Sequence, residues 1–253
     1  MAHLHFLGTA GARHVVASQA RHSGGLIWSL PGHTLWVDPG PGALVRALEA
    51  TPRVEPRTVD TLLLSHKHLD HTGDANAVIE AITAGGTKAK GRLLCPADCL
   101  GEEPPVYSYA RKYLARVLPI AAGDRVELTP TLSVSFPIEH HHGCTTLGYR
   151  VELPGLRAAH VVDSLWFDGL IDAYRDVDLL IVNTTRPQGG NPKVLHLGVD
   201  DAEKLIRAIK PKLALMTHMG QQVVPRADEF AAELTTRTGV PVQAARDTWL
   251  VPL

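Results

Sequence analysis

Six consecutive residues near the end of the first quarter of the chain constrain its fold more than any other segment. They read HKHLDH, and four of them carry side chains that can bind a metal ion: His66, His68, Asp70 and His71. They follow residues 61–65, a short apolar run that predicts a buried strand. The motif therefore lies on a loop at the carboxyl end of a strand, where open α/β folds build their sites.

The spacing inside this motif suggests more than one metal ion. His66 and His68 are two residues apart, so on an extended backbone their side chains point to the same side. Asp70 and His71 follow beyond a turn and can face a second ion. Because one divalent ion does not easily use all four groups, we predict two.

The composition is that of an ordinary globular protein. Of 253 residues, 45% are hydrophobic and 20% are charged, and the net charge is −1 with neutral histidines. This balance gives no reason to expect nucleic acid or an anionic membrane as a partner. The three cysteines form no disulfide framework, which favours a reducing compartment.

No segment predicts export or membrane insertion. Residues 1–8 lack the basic start and long apolar stretch of a signal peptide. No run approaches the roughly 18 apolar residues of a membrane span. We therefore expect a soluble cytoplasmic protein without a membrane partner, and the sequence leaves a homodimer open.

Short strands mixed with helices occur twice along the chain, which predicts two similar halves. Strands are predicted at 3–7, 26–30, 34–37, 61–65, 92–95, 125–128, 131–138, 147–153, 156–162, 178–182, 213–217 and 248–251. Helices are predicted at 43–50, 74–84, 106–118, 199–209 and 226–235. Without a linker between the halves, we expect a single domain, 1–253, whose halves meet near 120–130. Two sheets back to back, each covered by helices, would bury the apolar strands on both faces.

Further metal-ligand side chains follow other predicted strands directly. They are His140, His141, His142, Asp163 and His218. This repeated placement at strand ends carries more weight than any single histidine, since a lone histidine is more often structural.

These motifs resemble the metallo-β-lactamase superfamily. The match comprises the HxHxDH motif at 66–71, a later His, an Asp after an apolar strand, and a last His in a Leu-x-Leu-x-Thr-His context. It also includes LGT at 7–9 and DPGPG at 38–42, so it covers nearly the whole chain. The resemblance implies an α/β fold, a four-layer αβ/βα sandwich, and a metal-dependent hydrolase.

The resemblance also implies which side chains hold which ion. One ion is assigned to His66, His68 and His142, the other to Asp70, His71 and His218, with Asp163 as the bridge. His142 is chosen because the family's histidine commonly lies about six residues before a Gly-Tyr pair, here Gly148 and Tyr149. His140 and His141 are then expected to be structural or to support the ligands.

This ligand set suits two divalent ions, with Zn²⁺ preferred and Mn²⁺ or Fe also compatible. A pair of ions can share a hydroxide and hold both oxygens of a displacement reaction. Two carboxylates offset only part of the +4 charge of the ions. The remaining positive field favours a small anionic substrate.

A further histidine narrows the expected reaction. The segment VLHL at 194–197 resembles the phosphodiesterase branch, which includes ribonuclease Z and the cyclic-phosphate phosphodiesterase of phosphonate catabolism. In that branch a histidine contacts the scissile phosphate, and His196 lies 22 residues before His218 as the branch requires. The resemblance implies that His196 is a general acid or oxyanion donor, and that Asp70 helps to orient a metal-bound hydroxide.

The substrate is expected to be a small phosphodiester or cyclic phosphate. Only 20 residues separate His142 from Asp163, which leaves no room for the long arm of the tRNA enzymes, so nucleic acid is disfavoured. Alternatives are a carboxylic ester, thioester or lactone hydrolase of the same fold, or a non-catalytic sensor. The complete ligand set argues against the sensor. Arg186 could bind a phosphate or equally be a solvated loop residue.

Several other residues are predicted to have structural roles and not to bind a metal or substrate. Asp74 is interpreted as a helix cap, Cys95 and Cys99 as buried thiols, and the aromatic and basic residues of 107–116 as an amphipathic helix rather than a lid. The histidines not expected to bind metal are His3, His5, His14, His22, His33 and His160.

Overall fold

The computed structural model describes residues 2–253, so Met1, which opens the segment considered as a signal peptide, lies outside the described residues. The strands are β1 (His3–Phe6), β2 (Leu26–Leu30), β3 (His33–Val37), β4 (Thr61–Leu63), β5 (Arg92–Pro96), β6 (Arg116–Ile120), β7 (Arg125–Thr129), β8 (Leu132–Ser135), β9 (Tyr149–Leu153), β10 (Leu156–Val161), β11 (Leu179–Asn183), β12 (Leu213–Thr217), β13 (Val242–Ala244) and β14 (Trp249–Pro252).

Eight α-helices connect these strands within residues 2–253. They are α1 (Ala12–Ser18), α2 (Ala43–Glu49), α3 (Leu69–Thr72), α4 (Ala75–Ile82), α5 (Ser108–Arg111), α6 (Gly169–Ala173), α7 (Val199–Ile209) and α8 (Ala227–Thr238). Short 3₁₀ helices occur at Pro56–Thr58, Ala97–Leu100 and Val224–Arg226.

The chain divides into two compact units, each built on one seven-stranded sheet. The first unit contains residues 2–9, 18–120 and 246–253, and its sheet order is β14-β1-β2-β3-β4-β5-β6. The second contains residues 10–17 and 121–245, and its order is β13-β12-β11-β10-β9-β8-β7. The expectation of a single domain, 1–253, stays a prediction.

Parallel strands form one half of each sheet. In the first sheet β3 to β6 run parallel, and in the second β10 to β13 run parallel. The carboxyl ends of parallel neighbours meet at the same edge of a sheet, so residues that follow them lie close together. Candidate ligands follow three of these parallel strands, β4, β10 and β12, and His142 lies in the loop between β8 and β9.

Helix α4 shows how the first unit buries its sheet. Its apolar residues recur at helical spacing, with Val78 and Ile79 fully buried. They belong to a core that includes Trp36 and Leu62, which lie side by side on β3 and β4 and therefore share one face of the sheet. The second unit has an equivalent core between α7, α8 and the strands β10 to β12.

The sequence predicted most of these elements, and one prediction was wrong. Helix α7 and strand β12 have the bounds expected from their patterns. The expected helix at 106–118 is helical only at Ser108–Arg111, and its last part belongs to strand β6, which pairs with β5. Pairing of Leu118 with Leu94 in a parallel sheet overrides the local helical spacing of Tyr109 and Tyr113. Helices α1, α3 and α6 and strands β6 and β13 were not predicted.

The two edge strands of the first sheet, β14 and β6, each contain an exposed proline, Pro252 and Pro119.

Among the helices of residues 2–253, none combines the length and apolar character needed to cross a membrane.

Two valines on helices of the first unit provide a matched test of this core. Val78 on α4 is 0% exposed and Val45 on α2 is 53% exposed. We expect Val78→Ala to lower the free energy of unfolding by about 1.5–3 kcal/mol, because it removes two buried methyl groups. Val45→Ala makes the same chemical change without burial and is expected to stay within ~0.5 kcal/mol. Urea unfolding measures both, and equal values would contradict the core described here.

Candidate metal centre

The first cluster consists of His66, His68, Asp70 and His71. It follows the buried strand β4 and runs into the short helix α3, whose first turn contains Asp70 and His71. The hydroxyl of Thr72 donates to the carbonyl of His68 at 3.0 Å, which ties the loop to the helix. The prediction placed Asp70 and His71 beyond a turn, and the structure makes that turn helical.

His66 and His68 direct nitrogen atoms at a common point. The Nε2 atom of His66 lies 3.1 Å from Nδ1 of His68. Two ligands of a tetrahedral Zn²⁺ at Zn–N distances of about 2.0–2.1 Å are separated by roughly 3.3 Å. The observed spacing is therefore close to that of two nitrogens that share one ion.

Asp38 hydrogen-bonds to the first cluster, a position that the sequence interpretation did not assign to it. It directly follows β3, next to β4, and it accepts hydrogen bonds from the Ser65 amide (2.7 Å), the Ser65 hydroxyl (2.6 Å) and Nδ1 of His71 (2.9 Å). Since His71 donates from Nδ1, its Nε2 is the atom that carries a lone pair. That atom lies 3.7 Å from a carboxylate oxygen of Asp70.

The same carboxylate fixes the tautomer of His66 indirectly. The single proton of the Ser65 hydroxyl is donated to Asp38, so Ser65 Oγ must accept from Nδ1 of His66, 3.0 Å away. This leaves the lone pair of His66 on Nε2, the nitrogen that faces His68. The sequence signal for Asp38 was its position at the end of a strand, within the DPGPG segment.

The second cluster consists of His142, Asp163, His196 and His218. Asp163 and His218 follow β10 and β12, and His196 precedes α7. The Asp163 carboxylate lies 3.9 Å from His142 Nε2, 3.5 Å from His196 Nδ1 and 3.3 Å from His218 Nδ1. Donor atoms of Asp163, His196 and His218 all lie within 4.8 Å of one another.

Oxygen atoms also fix the tautomers of His142 and His218. Nδ1 of His142 donates to the carbonyl of Leu195 at 2.8 Å. The Thr185 hydroxyl donates to the carbonyl of His218 and so accepts from Nδ1 of the same residue at 3.0 Å. Both rings therefore carry their lone pair on Nε2, as metal-binding histidines with such partners do.

His218 adopts an uncommon backbone conformation, with φ of 53°. Gly11 lies against it, and a Cβ atom at Gly11 would meet the His218 carbonyl oxygen at 2.1 Å. The glycine is therefore required for this close approach. Strained conformations of this kind are frequent at functional sites.

A chain of buried hydrogen bonds ends on Asp163. Asn183 Nδ2 donates to Asp163 at 2.8 Å, and Asn183 Oδ1 accepts from Nε2 of His160 at 2.8 Å. Nδ1 of His160 then accepts from the Tyr149 hydroxyl at 3.2 Å. His160, expected not to bind metal, thus supports Asp163 through Asn183, which the sequence interpretation had not assigned to the site.

His140 and His141 occupy different positions from His142. His140 donates from Nδ1 to the Asp163 carbonyl at 3.3 Å and accepts from the Tyr174 hydroxyl at 2.7 Å. Burial lowers the pKa of His140 to about 4, so its ring is neutral at pH 7. His141 is exposed and stacks on Phe167, with ring centroids 4.0 Å apart.

Four other residues singled out in the sequence, Asp74, Cys95, Cys99 and Arg186, belong to neither cluster. Asp74 occupies the N-cap position of α4, as expected, but its side chain makes no capping bond. Its carboxylate accepts from the Leu44 amide at 3.0 Å instead. Cys95 and Cys99 are buried free thiols, as predicted. The Nε atom of Arg186 is buried and has no hydrogen-bond partner among the described residues.

The donor set fits a divalent metal ion. Four histidines have Nδ1 anchored by an oxygen, which leaves Nε2 to bind: His66, His71, His142 and His218. The two carboxylates of the clusters, Asp70 and Asp163, supply negative charge. Imidazole nitrogens with carboxylate oxygens are the ligands that Zn²⁺ and similar ions use.

Proteins of related sequence are found in archaea and bacteria. An uncharacterized protein of Methanocaldococcus jannaschii is 32% identical over 247 residues, 95% of this chain and 91% of that protein. A metal-dependent hydrolase of Polynucleobacter asymbioticus is 27% identical and covers 70% of this chain and 64% of its own length. A ribonuclease Z of Methanopyrus kandleri is 29% identical over 60% of this chain and 50% of its own length.

Solved structures share the fold over nearly the whole chain. The metallo-β-lactamase fold protein YhfI of Bacillus subtilis has a TM-score of 0.80 and 17% identity, and 98% of each chain is covered. A diphosphatase of the PhnP family has a TM-score of 0.70 and 19% identity, with 99% and 96% covered. The expected metallo-β-lactamase fold is confirmed.

Replacement of Asp38 tests the support of the first cluster. In Asp38→Asn the new amide nitrogen would face the Nδ1 proton of His71, so the ring loses its orientation. We expect metal affinity to fall about 10–100-fold, which competition against a chromophoric chelator measures. Asp60→Asn is the matched control, since Asp60 accepts from the Thr34 amide at the opposite end of β4. Unchanged affinity in folded Asp38→Asn would contradict this role.

A family model described as a β-lactamase superfamily domain matches residues 33–219. This range contains every residue of both clusters. The relatives include proteins named as metal-dependent hydrolase and ribonuclease Z, in agreement with the expected enzyme class. The chain therefore belongs to the β-lactamase superfamily and is a metal-dependent hydrolase with the metallo-β-lactamase fold.

Proposed function

We propose that the protein is a dinuclear metal-dependent phosphodiesterase that cleaves a small phosphodiester or cyclic phosphate. The observation that supports this most is the position of His196. Its Nδ1 lies 3.5 Å from the Asp163 carboxylate, beside His142 and His218 at ring-centroid distances of 5.2 and 5.7 Å. A histidine additional to the family's metal ligands thus belongs to the ligand cluster.

The two clusters together would supply the ligands of two ions. We propose His66, His68 and His142 for one ion, Asp70, His71 and His218 for the other, and Asp163 as the bridge. The anchored tautomers of four of these histidines support the assignment. The described residues contain groups of three His or Asp donor atoms within 4.8 Å of one another. Zn²⁺ suits this set best, and Mn²⁺ or Fe is compatible with it.

When bound, the ions would supply Lewis-acid chemistry, which activates water near pH ~7 and offsets phosphate charge. The residues of the chain position this chemistry. Asp38 orients His71 through its Nδ1 hydrogen bond, and Asn183 holds the Asp163 carboxylate. Asp70, next to His71, is proposed to orient the attacking water for attack at phosphorus.

His196 is proposed to assist departure of the alcohol. Nδ1 of His196 faces Asp163, so Nε2 is the nitrogen proposed to meet the substrate. As the new bond from water to phosphorus forms and the ester bond breaks, His196 would donate its proton to the leaving oxygen. General acid catalysis of this type contributes about 10²–10⁴-fold to a rate.

The relatives support phosphorus chemistry over other ester chemistry. One relative is named ribonuclease Z, and one structural neighbour is a diphosphatase. Between His142 and Asp163 this chain contains the hairpin β9 and β10, which fills the interval where the tRNA enzymes have an arm. A small anionic substrate is therefore favoured over tRNA.

We also propose a cytoplasmic location. Cys95, Cys99 and Cys144 are all free thiols, and the first two are buried. Free thiols are usual in a reducing compartment.

Purified protein is expected to hydrolyse bis(p-nitrophenyl) phosphate, because its ligand set can hold the ions that the reaction needs. Treatment with a chelator should abolish the release of p-nitrophenolate, and added Zn²⁺ or Mn²⁺ should restore it. Elemental analysis of the native protein should find about two ions per chain. Metal-loaded protein without turnover of any phosphodiester would contradict the proposed function.

Replacement of His196 separates its proposed role from metal binding. We expect His196→Ala to lower kcat/KM for phosphodiesters about 10²–10⁴-fold while metal content stays unchanged. His14→Ala, an equivalent change at an exposed position of α1, should leave kcat/KM unaltered. Loss of metal from His196→Ala would make His196 a ligand instead. Turnover of carboxylic esters but not phosphodiesters would favour the carboxylic ester, thioester or lactone alternative.

A further inference from the structure

An open groove of about 780 Å³ lies in the first unit beside the loop of the first cluster. Its lining is mainly apolar and includes Leu69, Pro104, Pro105, Tyr107 and Tyr109. Leu69 is 71% exposed, Tyr107 53% and Tyr109 46%. These are the most exposed large apolar side chains near the cluster, and the volume is in the range of sites for small organic ligands.

The groove shares its wall with the candidate metal ligands. Lys67 and Leu69, both in the lining, alternate along the chain with His66, His68 and Asp70. Consecutive Cα atoms are only about 3.8 Å apart, so the backbone of this groove wall is also the backbone of the loop that carries these candidate ligands. Thr72, also in the lining, bonds the carbonyl of His68.

Hydrogen bonds to two side chains hold the other wall in place. The Asn76 side chain donates to the Pro105 carbonyl at 2.8 Å and accepts from the Tyr107 amide at 2.9 Å. Arg111 donates to the carbonyls of Val106 and Leu100 at 2.6–2.9 Å. These bonds hold the backbone at residue 100 and at 105–107, next to the two tyrosines, so this wall of the groove costs little ordering on binding.

Arg111 is therefore part of the scaffold. Its guanidinium is occupied by backbone carbonyls, which leaves Lys67 as the cation of the groove lining. Lys67 is exposed and lies between two candidate ligands on their loop, whereas the one acidic residue of the lining, Glu103, precedes Pro104 and Pro105 of the other wall. Anionic and apolar parts of one ligand would thus be recognised at neighbouring positions.

We infer that this groove binds a planar aromatic group of the substrate, a nucleobase or an aryl ring attached to the phosphodiester. The inference rests on the proposed phosphodiesterase function and adds the substrate class. Tyr107 and Tyr109 offer ring faces, and Leu69 with the two prolines offers apolar contact. Lys67 would meet the phosphate at the end of the groove near the clusters.

The geometry of the tyrosines favours stacking on one outer face. Their ring centroids are 5.8 Å apart and their planes differ by 31°. A ring sandwiched between two others would need about 7 Å, twice the usual contact distance of 3.5 Å. The substrate ring therefore stacks on the open face of a tyrosine and does not insert between the two.

Two substrates with the same leaving group provide the test. These are the p-nitrophenyl ester of thymidine 5′-phosphate and methyl p-nitrophenyl phosphate, which differ only in the group offered to the groove. We expect kcat/KM of the wild-type protein to be at least tenfold higher for the thymidine ester. In the double variant Tyr107→Ala/Tyr109→Ala this preference should fall about tenfold, since stacking of one base is worth about that factor.

Control variants separate stacking from structural damage. Tyr107→Phe/Tyr109→Phe retains both ring faces and should keep the preference. Val45→Ala, an exposed apolar truncation on α2, should do the same. Equal preference in the wild-type protein and the double alanine variant would overturn the inference, as would loss of preference in the phenylalanine variant.

A binding measurement keeps this inference distinct from the proposed reaction. Saturation-transfer NMR with thymidine alone needs no phosphate, metal or turnover. Wild-type protein should give a signal that the double alanine variant loses and the phenylalanine variant keeps. A protein that binds thymidine in this way but cleaves no phosphodiester would contradict the proposed function, while binding of an aromatic group in the groove would stay supported. Equal thymidine signals in the wild-type protein and the double alanine variant would contradict binding of the aromatic group in this groove.

Discussion

Hydrogen bonds to Nδ1 determine which ring nitrogen of each candidate histidine ligand keeps the lone pair that can bind a metal ion. Ser65, Asp38, the Leu195 carbonyl and Thr185 each accept from one ring, so that four rings keep a lone pair on Nε2. A histidine without such a partner can take either tautomer and rotate, which weakens it as a ligand. The partners come from strand ends and a loop, so the fold of the sheets determines the protonation of the rings. Asp38 has the widest effect because it fixes His71 directly and His66 through Ser65.

The ligand-type residues could be predicted from the sequence, whereas their supports could not. The spacing of His66, His68, Asp70 and His71 is local and visible in one segment. Asp38 is 27 residues before Ser65, and its role depends on the parallel pairing of Val37 with Leu63, which no local pattern shows. Asn183 reaches Asp163 for the same reason, through the parallel pairing of β10 and β11. Asp38 and Asn183 are brought to the candidate ligands by the tertiary fold. A single sequence therefore indicates such hydrogen-bond partners only by their position at strand ends.

The fold was predictable where local pattern and tertiary structure agree. Helix α7 combines acidic residues in its first turn with apolar residues at helical spacing, and it lies where the pattern placed it. The segment 106–118 fails this condition, because it has helical spacing but supplies the strand that completes the edge of the first sheet. Its short remaining helix, α5, instead carries Arg111, which holds the loop beside the groove. The failed prediction thus falls on a segment that lines the groove proposed to bind part of the substrate.

The prolines of the outermost strands bear on how copies of this chain can associate. Pro119 and Pro252 lack the N–H group that an added strand would need, one on each flank of the first sheet. Growth of this sheet from copy to copy is therefore interrupted at both flanks, which protects the folded protein against ribbon-like aggregation. A continuous intermolecular ladder along the flanks of this first sheet is therefore disfavoured.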